Sequence, residues 1–496
     1  MNSESSTLKQ QTARGLLWGM LNNGTMQLLN LLFGIVLAWI LSRADYGLAS
    51  ELAIFSALAA ALQEGGFISA LTNRKRLTHA ALNSVFWFNI LVSAAIYVIL
   101  WVCAPLIADY YDEPKLLWLS RYAFLGFFIA SFSIAPRAKL FKQMQVKTQS
   151  IISITALVVS GCVGVAMALC KMAYWSVVTQ SMVYVLVVAV LSWKAAHWRP
   201  TWRFTMRPVR QMLGFSIKLV ITNIFNVINN NIFILVFGKF YTTTDVGTYS
   251  QADKWNKMGS GIITGMVQSV AQPMFVQVGN DEERQLRVFR KMLRFTAFIA
   301  FPTMFLLALV APQLIVATVG QKWLPSAELM QLLCVGGAFL PIAALFSNLL
   351  ISRGCSNIYM WNILAQGMLT LALLICVGQF KWTLDISIGG YVLQLGKMHL
   401  MVLCYVGVQM LWFFIWHTFL RREIHLSLLS ALLDTIPFAL LAALSMVCAA
   451  LATQSFTNIY VLLLLRVVIA AAVYLSLLLL LRAKIVRECL QYIFRK

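Results

Sequence analysis

This chain is built from a succession of apolar runs, each long enough to cross a bilayer. A helix needs about 20 mostly apolar residues to span the ~30 Å hydrocarbon layer. Such runs fall at 15–41, 46–71, 82–107, 116–135, 149–170, 174–193, 213–238, 246–276, 295–318, 327–352, 358–380, 386–416, 430–453 and 457–481. Hydrophobic residues make up 60% of the 496 and charged residues 11%. Soluble domains average roughly 25% charged residues, so this chain lacks the polar surface to cover itself in water. Continuous runs exclude a membrane barrel, whose strands alternate over ~10-residue segments. The expectation is an all-α integral membrane protein of about 14 spans, without strands.

The formal net charge of +22 has two readings. One is nucleic acid; the other is loading of Lys and Arg onto cytoplasmic loops. Position separates them. The basic groups Arg74, Lys75 and Arg76, then Arg137, Lys139, Lys142 and Lys147, then Arg199, Arg203, Arg207 and Arg210, then Arg284, Arg287, Arg290 and Lys291 all follow even-numbered spans. They therefore share one side, which the rule assigns to the cytoplasm together with both termini. The basic, Trp-containing stretch His197–Arg210 lies beside a span, which favours anionic lipid headgroups over nucleic acid. The polar opening MNSESSTLKQQTARG leads into an uncleaved first span rather than a signal peptide.

Displacing the sequence by two hundred residues brings polar positions into register. Asn23 meets Asn223, Asn30 meets Asn230, Asp45-Tyr46-Gly47 meets Asp245-Val246-Gly247, and Ser50 meets Ser250. Spans 1–2 thus repeat as spans 7–8. The layout is two six-helix lobes, 1–200 and 201–425, followed by two helices and a basic tail, 426–496. Parallel repeats about an axis normal to the membrane are a transporter arrangement, with the site near the midplane. A D-x-G turn between helices also occurs without any repeat.

Charges inside a span usually face a cavity or a partner. Span 7 carries Lys218, Thr222, Asn226 and Asn229 at helical spacing, widened by Asn223, Asn230 and Asn231; span 1 carries Asn23, Gln27 and Asn30. Span 8 carries Asp253, Lys254 and Lys257, and span 2 carries Glu51. The candidate substrate cavity is accordingly Lys218, Lys254, Lys257, Asn23, Gln27, Asn30, Asn223, Asn226 and Asn230, with Glu51 and Asp253 as candidates for ion coupling. Lysines suit a diphosphate, and amide and hydroxyl groups suit a saccharide. Other readings stand beside these. Asp253 and Lys257 can neutralise each other at i, i+4, any of the Asn can serve as packing glue, and Lys218 can snorkel to the interface. Arg121 reads as snorkelling, Glu64 and Asp434 as interfacial, and Trp18, Trp202 and Trp323 as belt residues. Lys397 and Arg466 lie deeper, with partners that the sequence does not name.

Catalytic and metal signatures are absent from the sequence. There is no phosphate-binding G-x-x-x-x-G-K-[ST] loop and no G-x-S-x-G elbow. The nine Cys form no C-x-x-C pair, and the five His form no ligand spacing. Neither a metal nor a cofactor is expected.

The segment GLLWGMLNNGTMQLLNLLFGIVLAWILSRADYGLAS (15–50) resembles the first helix pair of Wzx-type polysaccharide flippases. GQKWLPSAELMQLL (320–333) is similar to their G-x-K-W segment, and PRAKLFKQMQ (136–145) to their loop after the fourth helix. The resemblance implies the MOP flippase fold and alternating access. It implies translocation of a polyprenyl-diphosphate-linked oligosaccharide across a bacterial plasma membrane, coupled to a proton or sodium gradient or to membrane potential. It also leaves room for polysaccharide-assembly proteins as partners. Two alternatives are a cation-coupled multidrug antiporter of the same superfold, and a membrane glycosyltransferase or polymerase. The antiporter predicts a mainly acidic or aromatic cavity. The enzyme predicts a soluble loop or paired aqueous carboxylates.

Overall fold

The computed structural model describes residues 22, 24–64, 71, 78–143, 145–202, 204–278, 281–379, 384–388 and 391–481. The helices are α1 (Gly24–Ile40), α2 (Arg43–Glu64), α3 (His79–Tyr111), α4 (Lys115–Lys142), α5 (Val146–Leu169), α6 (Trp175–Ala196), α7 (Met206–Phe240), α8 (Thr243–Val278), α9 (Glu282–Val319), α10 (Leu324–Gly337), α11 (Leu340–Ser352), α12 (Ser356–Gln379), α13 (Lys397–Ile424), α14 (Leu428–Ala452) and α15 (Ile459–Leu480). Among the described residues, ten helices are long and apolar enough to cross a membrane, the broken α10–α11 pair counting as one. Many side chains on their outer faces are exposed and apolar, such as Leu106, Leu440 and Leu464. That is the surface of a multi-pass membrane protein.

One expectation is corrected. The run at 386–416 is not a single span, and the described residues are not free of strands. Leu384–Ile388 (β1) and Tyr391–Leu395 (β2) pair antiparallel, Leu384 opposite Leu395 and Ile388 opposite Tyr391. Between them the sequence has Gly389-Gly390, the dipeptide that a two-residue hairpin favours. The helix therefore starts at Lys397, whose ammonium group donates to the carbonyl of Gly378 at the end of α12. A cation there meets the negative end of a helix dipole, so Lys397 is a cap rather than a mid-span charge.

The connection left between the runs at 246–276 and 295–318 is also shorter. α9 begins at Glu282, capped by Asp281, whose side chain accepts from the Arg284 amide at 3.0 Å. Its first three turns carry the basic residues. Gly320, at φ +96°, ends α9, and Trp323 follows on a 3-10 turn as a fully buried side chain. Trp323 is therefore a core residue, not a belt residue.

The chain divides into two compact units, Met1–Gly247 and Thr248–Lys496. In the first, α2 packs on α4 and α7, α3 on α4 and α7, and α5 and α4 on α6. In the second, α9 packs on α10, α14 and α15, and α13 on α10, α11 and α12. Ionic contacts brace this second unit. Asp434, 4% exposed, receives Arg290 Nε at 2.7 Å and Arg294 Nε at 3.6 Å. Arg353 reaches Gln285 Oε1 at 2.8 Å, Glu423 Oε2 at 3.2 Å and Glu282 Oε1 at 3.7 Å.

Candidate functional site

The two repeat-related turns are built alike. Ser42 caps α2: its amide and hydroxyl donate to Asp45 Oδ2 at 3.0 and 2.6 Å, and Asp45 N–H returns a bond to Ser42 Oγ at 3.2 Å. Thr242 caps α8 with the same three bonds to Asp245, at 3.3, 2.8 and 3.3 Å. Each is a capping box in which a carboxylate stands three residues after the cap. The glycines that follow are also matched. A Cβ on Gly47 would overlap the carbonyl of Thr243, and a Cβ on Gly247 would overlap the carbonyl of Arg43. Both contacts lie in the first unit. Only glycine lets the two helix starts cross this closely.

The polar faces run on from these turns. Gln27 and Asn30 are exposed on α1, Asn223 and Asn230 are exposed on α7, and Asn226 is partly buried. An amide exposed on a helix within a membrane favours a water-lined surface over lipid. Asn231 donates to the Val227 carbonyl at 2.8 Å, a local bond. Asn23 lies outside the described residues, and only the helical backbone of Lys218 is described.

On α8, in the second unit, Lys254 and Lys257 are exposed. Lys257 Nζ sits 2.8 Å from Asp253 Oδ2; Asp253 is buried and the Lys257 side chain is 46% exposed. Asp253 is therefore a satisfied acid, whereas Lys254 is ion-paired with no described residue. Ser260 and Thr264 return their hydroxyls to carbonyls one turn back, at 2.9 and 2.8 Å. Gln251 and Asn256 are also buried, and Gln251 Oε1 and Asn256 Oδ1 accept no hydrogen bond. Neither stood out in the sequence, although the two-hundred-residue register pairs Gln251 with Glu51.

Glu51 is the most enclosed acid of the site. It is 1% exposed, and its Oε2 accepts no hydrogen bond. It faces α7, where a Cβ on Gly238 would come within 3.6 Å of Glu51 Cγ and would press on the Tyr111 ring. The opposite face of α2 lines a cavity of about 390 Å³ among α2, α4 and α6, bordered by Leu52, Ser56, Ser133, Arg137, Ser181 and Tyr184.

Arg121 stacks on Trp101 and Trp118, with ring centroids 4.0 and 4.9 Å from Cζ, an arrangement that holds a cation at an aromatic surface. Arg466 donates to the Leu309 carbonyl at 3.1 Å, to Gln313 Oε1 at 2.9 Å and to Thr453 Oγ1 at 3.4 Å. Its acceptors are thus neutral oxygens from α9 and from the end of α14.

Comparison with known proteins agrees with this architecture. The lipopolysaccharide biosynthesis protein WzxC of Escherichia coli (strain K12) is 23% identical over 394 residues, covering 78% of this chain and 80% of that one. The teichuronic acid biosynthesis protein TuaB of Bacillus subtilis (strain 168) is 26% identical over 303 residues, covering 60% and 62%. Among solved structures, the lipid II flippase MurJ in an inward closed conformation superposes with a TM-score of 0.73 at 14% identity, over 93% of this chain and 97% of that one. An inward-facing multidrug resistance MATE family transporter of the MOP superfamily gives 0.64 at 14% identity, over 80% and 94%. Residues 36–328, more than half of the chain, match the family described as polysaccharide biosynthesis protein, and the chain belongs to that family.

Proposed function

We propose that the protein is a flippase that moves polyprenyl-diphosphate-linked oligosaccharide units across the bacterial plasma membrane, for the assembly of a surface polysaccharide or lipopolysaccharide. The observation that carries this reading is the near-complete superposition on a lipid II flippase by a chain of the polysaccharide biosynthesis family. The chemistry agrees. Gln27, Asn30, Asn223, Asn226 and Asn230 offer amide groups for saccharide hydroxyls, with Asn23 placed alongside them by the sequence. Lys254 and Lys257, with Lys218 placed by the sequence, offer point charges for a diphosphate.

In this reading the helices serve as fourteen spans: α1 to α9, the broken α10–α11 pair, and α12 to α15. The even count and the basic loops put both termini in the cytoplasm. The cycle is alternating access between two six-helix lobes, driven by a proton or sodium gradient, with no cofactor and no enzymatic step. The basic loops are the natural contacts for anionic lipids and for polysaccharide-assembly proteins.

The test uses proteoliposomes carrying a fluorescent polyprenyl-diphosphate saccharide that a membrane-impermeant reductant bleaches from outside. The purified chain is expected to expose inner-leaflet substrate to bleaching. A bleached fraction equal to that of protein-free vesicles, under an imposed gradient of either ion, overturns the proposal.

A further inference from the structure

Glu51 and Gly47 are four residues apart on α2 and so share one face. The enclosed acid therefore sits one turn from the place where the α2 and α8 starts cross at Gly47 and Gly247. Among the described residues, its surroundings supply no counter-charge. On α3, Tyr111 is 6% exposed with an Oη that makes no hydrogen bond. The acid whose charge bears on Glu51 is Glu113, in the turn after α3. Lys239 of α7 is engaged elsewhere, 3.6 Å from Asp112 and over the ring of Tyr110. On α4, Arg121 is stacked on its two tryptophans, and Lys115 begins the helix. Asp45 of α2 is closed into its own cap. Tyr46 of α2 donates to the Gly34 carbonyl at 3.1 Å. On α6, Tyr184 borders the cavity on the other side of α2.

An ionised carboxylate without a partner is strongly disfavoured in such a place, and the neutral acid is not. The packed crossing therefore suits Glu51 carrying a proton. The second repeat supplies the control. Its residue in register with Glu51 is Gln251, the uncharged isostere, which is equally buried and also leaves its side-chain oxygen unpaired. Shape at this position is thus served by an amide. What the acid adds is a proton that can leave.

We infer that Glu51 is the proton-binding site that controls the crossing of α2 and α8. Binding forms the carboxyl O–H bond and holds Gly47 against Gly247. Release of that proton to water leaves a charge that only hydration relieves, and so parts the two helix starts. The inference deepens the transporter reading by choosing the proton over sodium and by naming its site. It can be tested without substrate, so it can fail while flipping is observed, and can hold where flipping is not.

The test places spin labels at Arg43→Cys and Thr243→Cys in the full chain, reconstituted in lipid nanodiscs with the native Cys replaced. These positions touch the glycines through backbone carbonyls, so the side chains are free to change. Pulsed dipolar spectroscopy from about pH 5 to about pH 9 is expected to show a short distance at low pH. The ratio of long to short distances should then rise up to about tenfold per pH unit through the titration. Glu51→Gln should keep the short distance throughout. A wild-type distance that ignores pH, or a Glu51→Gln variant that titrates like the wild type, overturns the inference. A second measurement needs no variant. A hydrophobic carbodiimide attacks protonated, buried carboxyls, so mass spectrometry should find Glu51 modified at low pH and spared at high pH. Absence of the adduct at low pH overturns the inference as well.

Discussion

Lys257 Nζ lies 2.8 Å from the Asp253 carboxylate, on the next turn of the same helix, so the two charges largely cancel before any ligand arrives. This separates two roles that single substitutions would confuse. Lys257→Met leaves a buried acid unpaired and should cost more than the ~0–1 kcal/mol of a surface pair and less than the ~3–5 kcal/mol of a fully buried one. Asp253→Asn with Lys257→Met should recover thermal stability in detergent. If Lys257 also binds diphosphate, flipping in proteoliposomes stays lost in the double variant. Recovery of both stability and flipping would make the pair purely structural. Lys254→Ala should abolish export while leaving the protein in the membrane, as membrane fractionation would show.

Asp434 ties α14 to the basic start of α9 through Arg290 and Arg294. Asp434→Ala removes a charge-assisted pair and should destabilise the second unit by about 2 kcal/mol. Asp434→Asn, which still accepts, should cost less. Melting curves of the purified variants give the comparison, and equal melting for all three proteins would remove the bracing role.

The matched caps give a matched prediction. Ser42→Ala and Thr242→Ala each remove a side-chain acceptor at a helix start and should each cost about 1 kcal/mol. A much larger loss from one of them would mean that its turn does more than cap a helix.

Cys170 and Cys355 report orientation. Cys170 is exposed at the end of α5, in a connection that the proposed topology puts outside. Cys355 lies in the turn between α11 and α12, which the proposed topology puts on the cytoplasmic side. Burial, and then the neighbouring Glu423, raise the Cys355 thiol above its usual range. A raised thiol holds less thiolate at a given pH, so its alkylation should be slow at neutral pH and accelerate as pH rises. In single-Cys variants, an impermeant maleimide should label Cys170 in intact spheroplasts and Cys355 only after permeabilisation. The reverse pattern would invert the proposed topology.

Much of this fold was legible because apolar length is a coarse signal that side-chain detail does not blur. Among the described residues, α3 to α6, α14 and α15 fall on the apolar runs that hydropathy puts there, with ends that differ by up to two turns. α8 was legible for a different reason: it is too polar for a hydropathy threshold, and the register of Asn23 with Asn223 and of Gly47 with Gly247 identified it. The strands at 384–395 were hidden because apolar residues on both sides of Gly389-Gly390 continue the neighbouring helix pattern. The acceptors of Arg466 were hidden because two of them, the Leu309 carbonyl and Gln313, lie some 150 residues away. The site was legible in composition but not in pairing. The sequence offered Lys257 and Asp253 as both partners and ligands, and it passed over Gln251, whose significance lies in the residue it stands opposite in the register.

The crossing of Gly47 and Gly247 is symmetric. Arg43 is touched by Gly247, and Thr243, its counterpart, by Gly47. Each residue of one repeat meets the partner of its own equivalent, which is the hallmark of an isologous contact between identical subunits. The turn thus has the local symmetry of a contact between two copies of one motif. The copies differ at a position only a turn away, with Glu51 in one and Gln251 in the other. A homodimer would have been obliged to carry the same residue twice.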